Sequence, residues 1–233
     1  MKRFWVGVLI VTIFLAIVSL PRLVLVPKLL QGLEDQVAES FQAENVQVMI
    51  KAPWGWELLF GRLPRLDIVA ENARIHSLPV SKVTVRGEQI RFDPRSLWKE
   101  QELVYTEASN LWGEMIVTEE ALNELFWQRV DPDRLLSLQV SERGIGLGGK
   151  VSFWNMQWAL TLLGELEVHQ GTSLRFVLKN VEVQETRIPP ILLEVLRENY
   201  DFVIDLGVFP YPVELREVRL EEKQILVTFG GLQ

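Results

Sequence analysis

Leu66-Asp67-Ile68-Val69-Ala70-Glu71 sets Leu66, Ile68 and Ala70 against Asp67, Val69 and Glu71 at alternate positions. A period of two sends successive side chains to opposite faces of a strand. The same period recurs on both sides. Val83 and Val85 stand between Lys82, Thr84 and Arg86, and Ile90 and Phe92 between Gln89, Arg91 and Asp93. Upstream, Val46, Val48 and Ile50 alternate with Gln47, Met49 and Lys51. Downstream, residues 103–109, 113–117, 137–141, 151–163, 165–168, 174–183, 213–220 and 225–229 read as further strands. Strands with one wet face suit an antiparallel sheet. A strand–helix–strand rhythm is missing, which argues against a parallel doubly wound sheet.

Three helices interrupt this pattern. Residues 28–43 carry Leu29, Leu33, Val37 and Phe41 at every fourth position, with Glu34, Asp35, Glu39 and Gln42 elsewhere. This stripe is expected to pack on the core, because its polar face is acidic and lacks the Lys and Arg of a membrane-surface helix. Thr118 caps a second helix, with Glu119 and Glu120 in its first turn and Leu122, Leu125 and Phe126 as its apolar side. A third follows Pro189-Pro190 and carries Ile191, Leu192, Val195 and Leu196. The class is therefore α+β.

The chain has 233 residues, no cysteine and two histidines, His76 and His169. Disulfides, thiolate metal sites and a Cys nucleophile are excluded. The net charge of −7 argues against a dedicated nucleic-acid binder. Residues 1–28 hold Lys2, Arg3, Arg22 and Lys28 and no acid, so the remainder, with 20 basic and 31 acidic residues, carries −11. Phe4 to Leu20 is an uncharged apolar run of 17 residues behind Met1-Lys2-Arg3, with Trp5 at an interfacial position. That length is at the lower limit for a spanning helix. An A-x-A cleavage pattern is lacking, so an uncleaved signal-anchor is preferred over a cleaved signal. The positive-inside rule then sends the body to the extracytoplasmic side of the cell membrane. Pro21 and Pro27 are expected to interrupt the chain after it, dividing an anchor (1–27) from a body (28–233).

Gly144-Ile145-Gly146-Leu147-Gly148-Gly149 is a poor phosphate loop, because the chain continues as strand rather than helix. Glycine at alternate positions strips one strand face of side chains and leaves room for an acyl chain or a packed helix; a loose hairpin is the plainer alternative. Seven tryptophans lie in the body. Trp54 and Trp56 flank Gly55 in a loop or short helix able to dip into a bilayer or rim a pocket. Trp154 and Trp158 share parity if 151–163 is one strand. Asp131-Pro132-Asp133 reads as a turn. The known motifs of hydrolases, zinc proteases and P-loops are missing, so no catalysis, cofactor or metal is expected.

Several segments together resemble the LmeA-like phospholipid-binding family. They are Leu58-Leu59-Phe60-Gly61-Arg62-Leu63-Pro64-Arg65-Leu66-Asp67-Ile68 with Ala73-Arg74-Ile75 and Leu78-Pro79-Val80, then Val117-Thr118-Glu119-Glu120-Ala121-Leu122-Asn123-Glu124-Leu125. The last is Phe209-Pro210-Tyr211-Pro212-Val213-Glu214-Leu215, leading to Val218-Arg219-Leu220 and Ile225-Leu226-Val227-Thr228. The resemblance spans residues 30–231. It implies an envelope protein that binds phospholipid, with a long curved antiparallel sheet wrapped around a helix. It supplies no catalytic residue. The expected groove lies near Trp154, Trp158 and the 122–126 and 191–196 helices. The candidate lipid or membrane contacts are Trp54, Trp56, Leu122, Phe126, Gly146, Gly148, Trp154, Trp158, Leu192 and Val195. The rival readings are a non-catalytic scaffold of an envelope complex, and an envelope enzyme accessory with a polar cluster around His76 or His169.

Overall fold

The computed structural model describes residues 22–23, 25–53, 55–75, 77–99, 105–107, 110–153, 156–183, 203–205 and 213–231. The expected spanning segment 4–20 and the expected helix at 191–196 lie outside them. Among the described residues no helix is long and apolar enough to cross a membrane.

The chain divides into two compact units, Met1–Ala70 with Thr84–Leu111, and Glu71–Val83 with Trp112–Gln233. In the first unit, helix α1 (25–41) buries Leu25, Leu29, Leu33, Val37 and Phe41. The fourfold stripe packs inward, as the sequence leads one to expect, and it starts one turn earlier. Pro27 does not interrupt it. Helical residues stand on both sides of it, at 22–23 and 25–26 before it and at 28–41 after it. Strand β1 (Asn45–Lys51) follows, then the single-turn helix α2 (Trp56–Leu59), entered through Gly55 at φ 76°. Gly61, at φ 65°, closes that turn. Its carbonyl accepts from the Phe92 N–H at 2.9 Å, so close that a side chain would strike the Phe92 carbonyl. Strands β2 (Arg62–Ile75) and β3 (Leu78–Phe92) contribute residues to both units. A short helix α3 (Pro94–Lys99), capped by Asp93 accepting from the Arg95 N–H at 2.9 Å, precedes the short strand β4 (Tyr105–Glu107).

The second unit carries β5 (Asn110–Thr118), α4 (Glu119–Arg129), β6 (Leu136–Ser141), β7 (Gly144–Phe153), β8 (Met156–His169), β9 (Ser173–Val183), β10 (Val203–Asp205), β11 (Val213–Glu221) and β12 (Gln224–Gly231). The strands pair into two sheets rather than one. A seven-stranded sheet runs β1-β2-β3-β5-β12-β11, with β4 on β3, and a five-stranded sheet runs β10-β9-β8-β7-β6. The strand pairs with a resolved register are antiparallel. The expected single strand 151–163 is also two. β7 ends at Phe153, β8 begins at Met156, and those two residues pair across a hairpin.

Candidate lipid-binding surface

The register of the five-stranded sheet sorts its residues into two faces. One face is built of the rows Leu136–Gly149–Leu160–Val183, Leu138–Leu147–Leu162–Val181 and Val140–Ile145–Gly164–Leu178, continued by Leu166–Phe176 and Val168–Leu174. Every position in those rows is apolar. Leu136, Leu138, Val140, Ile145, Leu147, Leu174 and Phe176 are buried. The opposite face carries Ser137–Gly148–Thr161–Glu182, Gln139–Gly146–Leu163–Asn180, Glu165–Val177 and Glu167–Arg175. A bulge in β9 between Leu178 and Asn180 keeps the two sets apart along its length, since one extra residue restores the parity.

Helix α4 lies along β6. Thr118 caps it, its hydroxyl accepting from the Ala121 N–H at 3.3 Å, and Pro132 follows its end, both as the sequence indicates. Leu122 and Phe126 are buried, 3% and 1% exposed. The helix does more than bury them. Strand β6 is an edge, and its outward N–H and C=O groups need partners. The Val140 N–H donates to Glu119 Oε2 at 2.7 Å. The Leu138 N–H donates to Asn123 Oδ1 at 2.7 Å, and Asn123 Nδ2 donates back to the Leu138 carbonyl at 2.8 Å. Trp127 Nε1 donates to the Leu136 carbonyl at 2.7 Å, and the Leu136 N–H donates to Asp131 Oδ2 at 2.7 Å. The Val140 carbonyl accepts from the Lys223 N–H at 3.1 Å, in the turn between β11 and β12. The sheet stops at β6 because side chains, rather than another strand, occupy its edge.

The spacing explains how one helix does this. Four helical residues rise about 6 Å, close to the roughly 6.6 Å covered by two strand residues. Glu119, Asn123 and Trp127 therefore meet Val140, Leu138 and Leu136 in turn, with the helix antiparallel to the strand. Asp131, one more fourfold step along, completes the set. Sequence reasoning assigned Glu119 to the helix dipole and Asp131 to a turn, and missed the group. The fourfold polar stripe 119, 123, 127, 131 beside an apolar stripe was the available signal. Asn123, 7% exposed inside a helix, is its clearest member.

The candidate contacts fare unevenly. Leu122 and Phe126 come together in the interior of the second unit beside β6. Trp158 occupies a position paired with Val151, in step with the apolar rows. Gly146 and Gly148 lie on the other face, opposite Gln139 and Ser137, and so do not widen the apolar side. The glycine that makes room there is Gly164, where a Cβ would overlap the Phe176 ring. Trp56 opens α2 in the first unit, 38% exposed. Trp54, Trp154, Leu192 and Val195 lie outside the described residues, as does His76. His169 pairs with Ser173 at the end of the β8–β9 hairpin. Among the described residues no group of three acidic or histidine side chains is placed to hold a metal ion.

Residues 23–230 match the family described as LmeA-like phospholipid-binding. The curated proteins and the solved structures give no significant match.

Proposed function

From the premise that this chain belongs to the LmeA-like phospholipid-binding family, we propose that it holds phospholipid acyl chains against the apolar face of the five-stranded sheet. The observation that carries this reading is the unbroken apolar character of that face from β6 to β9. An antiparallel sheet keeps one side apolar where that side meets apolar matter, and here the character runs without a polar break through β8 and β9. Each methylene taken from water contributes about 0.8 kcal/mol, so about ten methylenes supply roughly 8 kcal/mol toward lifting a lipid from its bilayer. The polar edge made by Glu119, Asn123, Trp127 and Asp131 fixes β6 in place, and with it one border of the apolar face.

The finer parts of the proposal rest on the sequence. Residues 4–20 anchor the chain in the cell membrane as a single span, the body stands on the extracytoplasmic side, and the lipid is handled for the envelope without chemistry being done on it. The curvature of a sheet around a helix, as the family resemblance implies, belongs to the same proposal. Native mass spectrometry of the full chain, released from detergent, tests it. About one phospholipid should remain bound per chain after annular lipid is stripped. A chain that is empty and takes up no added lipid would contradict it.

A further inference from the structure

The first unit has a polarity of its own. Arg22, the first described residue after the apolar segment, donates from Nη1 to the Pro53 carbonyl at 3.3 Å. That contact joins the start of α1 to the approach to α2. From there the 17 residues of 25–41 carry the chain about 24 Å away. The seven residues of β1 return it over about 23 Å. The unit thus has a near end, holding Arg22, Leu23, Lys28, Lys51 and α2, and a far end at residues 41–45.

The two ends differ in charge and in surface. Arg22, Lys28, Lys51, Arg62 and Arg91 gather at the near end beside Glu57 and Asp93, while Glu34, Asp35, Glu39 and Glu44 lie toward the far end. This order opposes the helix dipole of α1, which favours acids at its start and bases at its finish, each by roughly 0.3–1 kcal/mol. A helix that gives up this stabilisation has its charges placed for something outside itself. At the same end Leu23 is 73% exposed, Phe60 74% and Trp56 38%, and Trp56 and Phe60 stand one helical turn apart. Beside α2 opens a cavity of about 330 Å³, bordered by Glu57, Arg62, Gln89 and Arg91 over Leu63 and Ile90.

We propose that this near end, with Trp56 and Phe60 inserted and Arg22, Lys51 and Arg62 around them, lies on the phospholipid bilayer surface. Basic side chains meet lipid phosphates, aromatic rings sit at the headgroup level, and the cavity beside α2 has room for a headgroup. A segment at 4–20 that ends in the membrane delivers the near end to that surface and holds the acidic far end away from it. The inference shares with the lipid-binding reading the premise that residues 4–20 lie in a bilayer. It adds the face by which the body meets it.

The absence of cysteine makes the test direct. Single substitutions Phe60→Cys and Ser40→Cys, both at exposed positions, are labelled with an environment-sensitive fluorophore in the full chain. The chain is reconstituted into vesicles of phosphatidylcholine with phosphatidylglycerol, carrying an acyl-chain quencher. The label at 60 should lose about half its intensity, as a group seated about 5–10 Å into the interface would, while the label at 40 stays unchanged. Adding Lys51→Glu and Arg62→Glu to the Phe60→Cys chain should remove most of that quenching. Equal quenching at the two sites, or none at 60 in a chain that still retains phospholipid, would overturn the docking face alone. A chain that does not stay with the vesicles would overturn the shared premise as well.

Discussion

Asn123 is the residue on which most local structure turns. Its amide exchanges two hydrogen bonds with Leu138 and donates a third to the Glu119 carbonyl at 3.0 Å. Asn123→Leu keeps the size and leaves both edge groups of Leu138 buried without partners. The expected loss is about 2–4 kcal/mol, read as a lower urea midpoint at unchanged m value. Gln128→Ala, on the exposed side of the same helix, should stay within about 0.5 kcal/mol of wild type. A second residue-scale prediction concerns Asp67, whose side chain is 10% exposed on β2. It accepts from Arg65 Nε at 2.7 Å and Nη2 at 3.1 Å, and from Arg86 Nε at 2.7 Å. The bonds from Arg65 hold its carboxyl below the ordinary carboxylate range against the opposing effect of burial, with Arg86 adding to them. A depressed folded pKa means the stabilisation is present above the unfolded value and is lost as pH falls through the folded one. Asp67→Asn should therefore cost about 1–3 kcal/mol at pH 7, held toward the lower figure by the part-exposed arginines. The gap to wild type should begin to narrow below about pH 4 and close only once pH is below the depressed folded value. A gap that does not narrow at all as pH falls below about 4 would contradict the ion triad as its source.

At the scale of elements, period was a good guide and punctuation a poor one. The alternation in 46–50, 66–71, 83–92, 113–117, 174–183 and 225–229 corresponds to strands in the structure, and the fourfold stripe of α1 is buried as it reads. Hairpin turns were harder. Across the break between Phe153 and Met156 the apolar row changes from odd positions (Val151, Phe153) to even ones (Met156, Trp158), a parity change that the reading of 151–163 as one strand passes over. Pro27 misled in the other direction, because the helical residues continue past it. Alternation already sets Gly146 and Gly148 away from Ile145 and Leu147, and the register adds that their neighbours on β6 are the polar Gln139 and Ser137. That assignment makes a contrast. Gly164→Ala forces a methyl into the Phe176 ring and should cost about 1–3 kcal/mol by overpacking. Gly146→Ala meets only Gln139 at an ordinary 3.8 Å and should be neutral or slightly stabilising in the same thermal melt. Equal effects at the two glycines would mean that the two faces of the sheet have been assigned wrongly.

At the scale of the molecule, the described chain clusters into two compact units. Contacts between residues far apart in sequence decide such a division, and a single sequence does not display them. The α+β class, the antiparallel pairing and the family were legible, because each rests on local period or on ordered short segments. The candidate surface was legible in part. Leu122 and Phe126 read as an apolar helical stripe and are buried, while the edge-closing group of Glu119, Asn123, Trp127 and Asp131 needed the position of β6 to be recognised. The central claim is that the apolar face of β6–β9 meets acyl chains. Its most direct measurement is photo-crosslinking of the full chain in a membrane containing a phospholipid with a diazirine in its acyl chain, followed by peptide mapping. Crosslinks should concentrate in residues 136–183, in addition to those expected from the apolar run at 4–20. Crosslinks confined to the first thirty residues would contradict it.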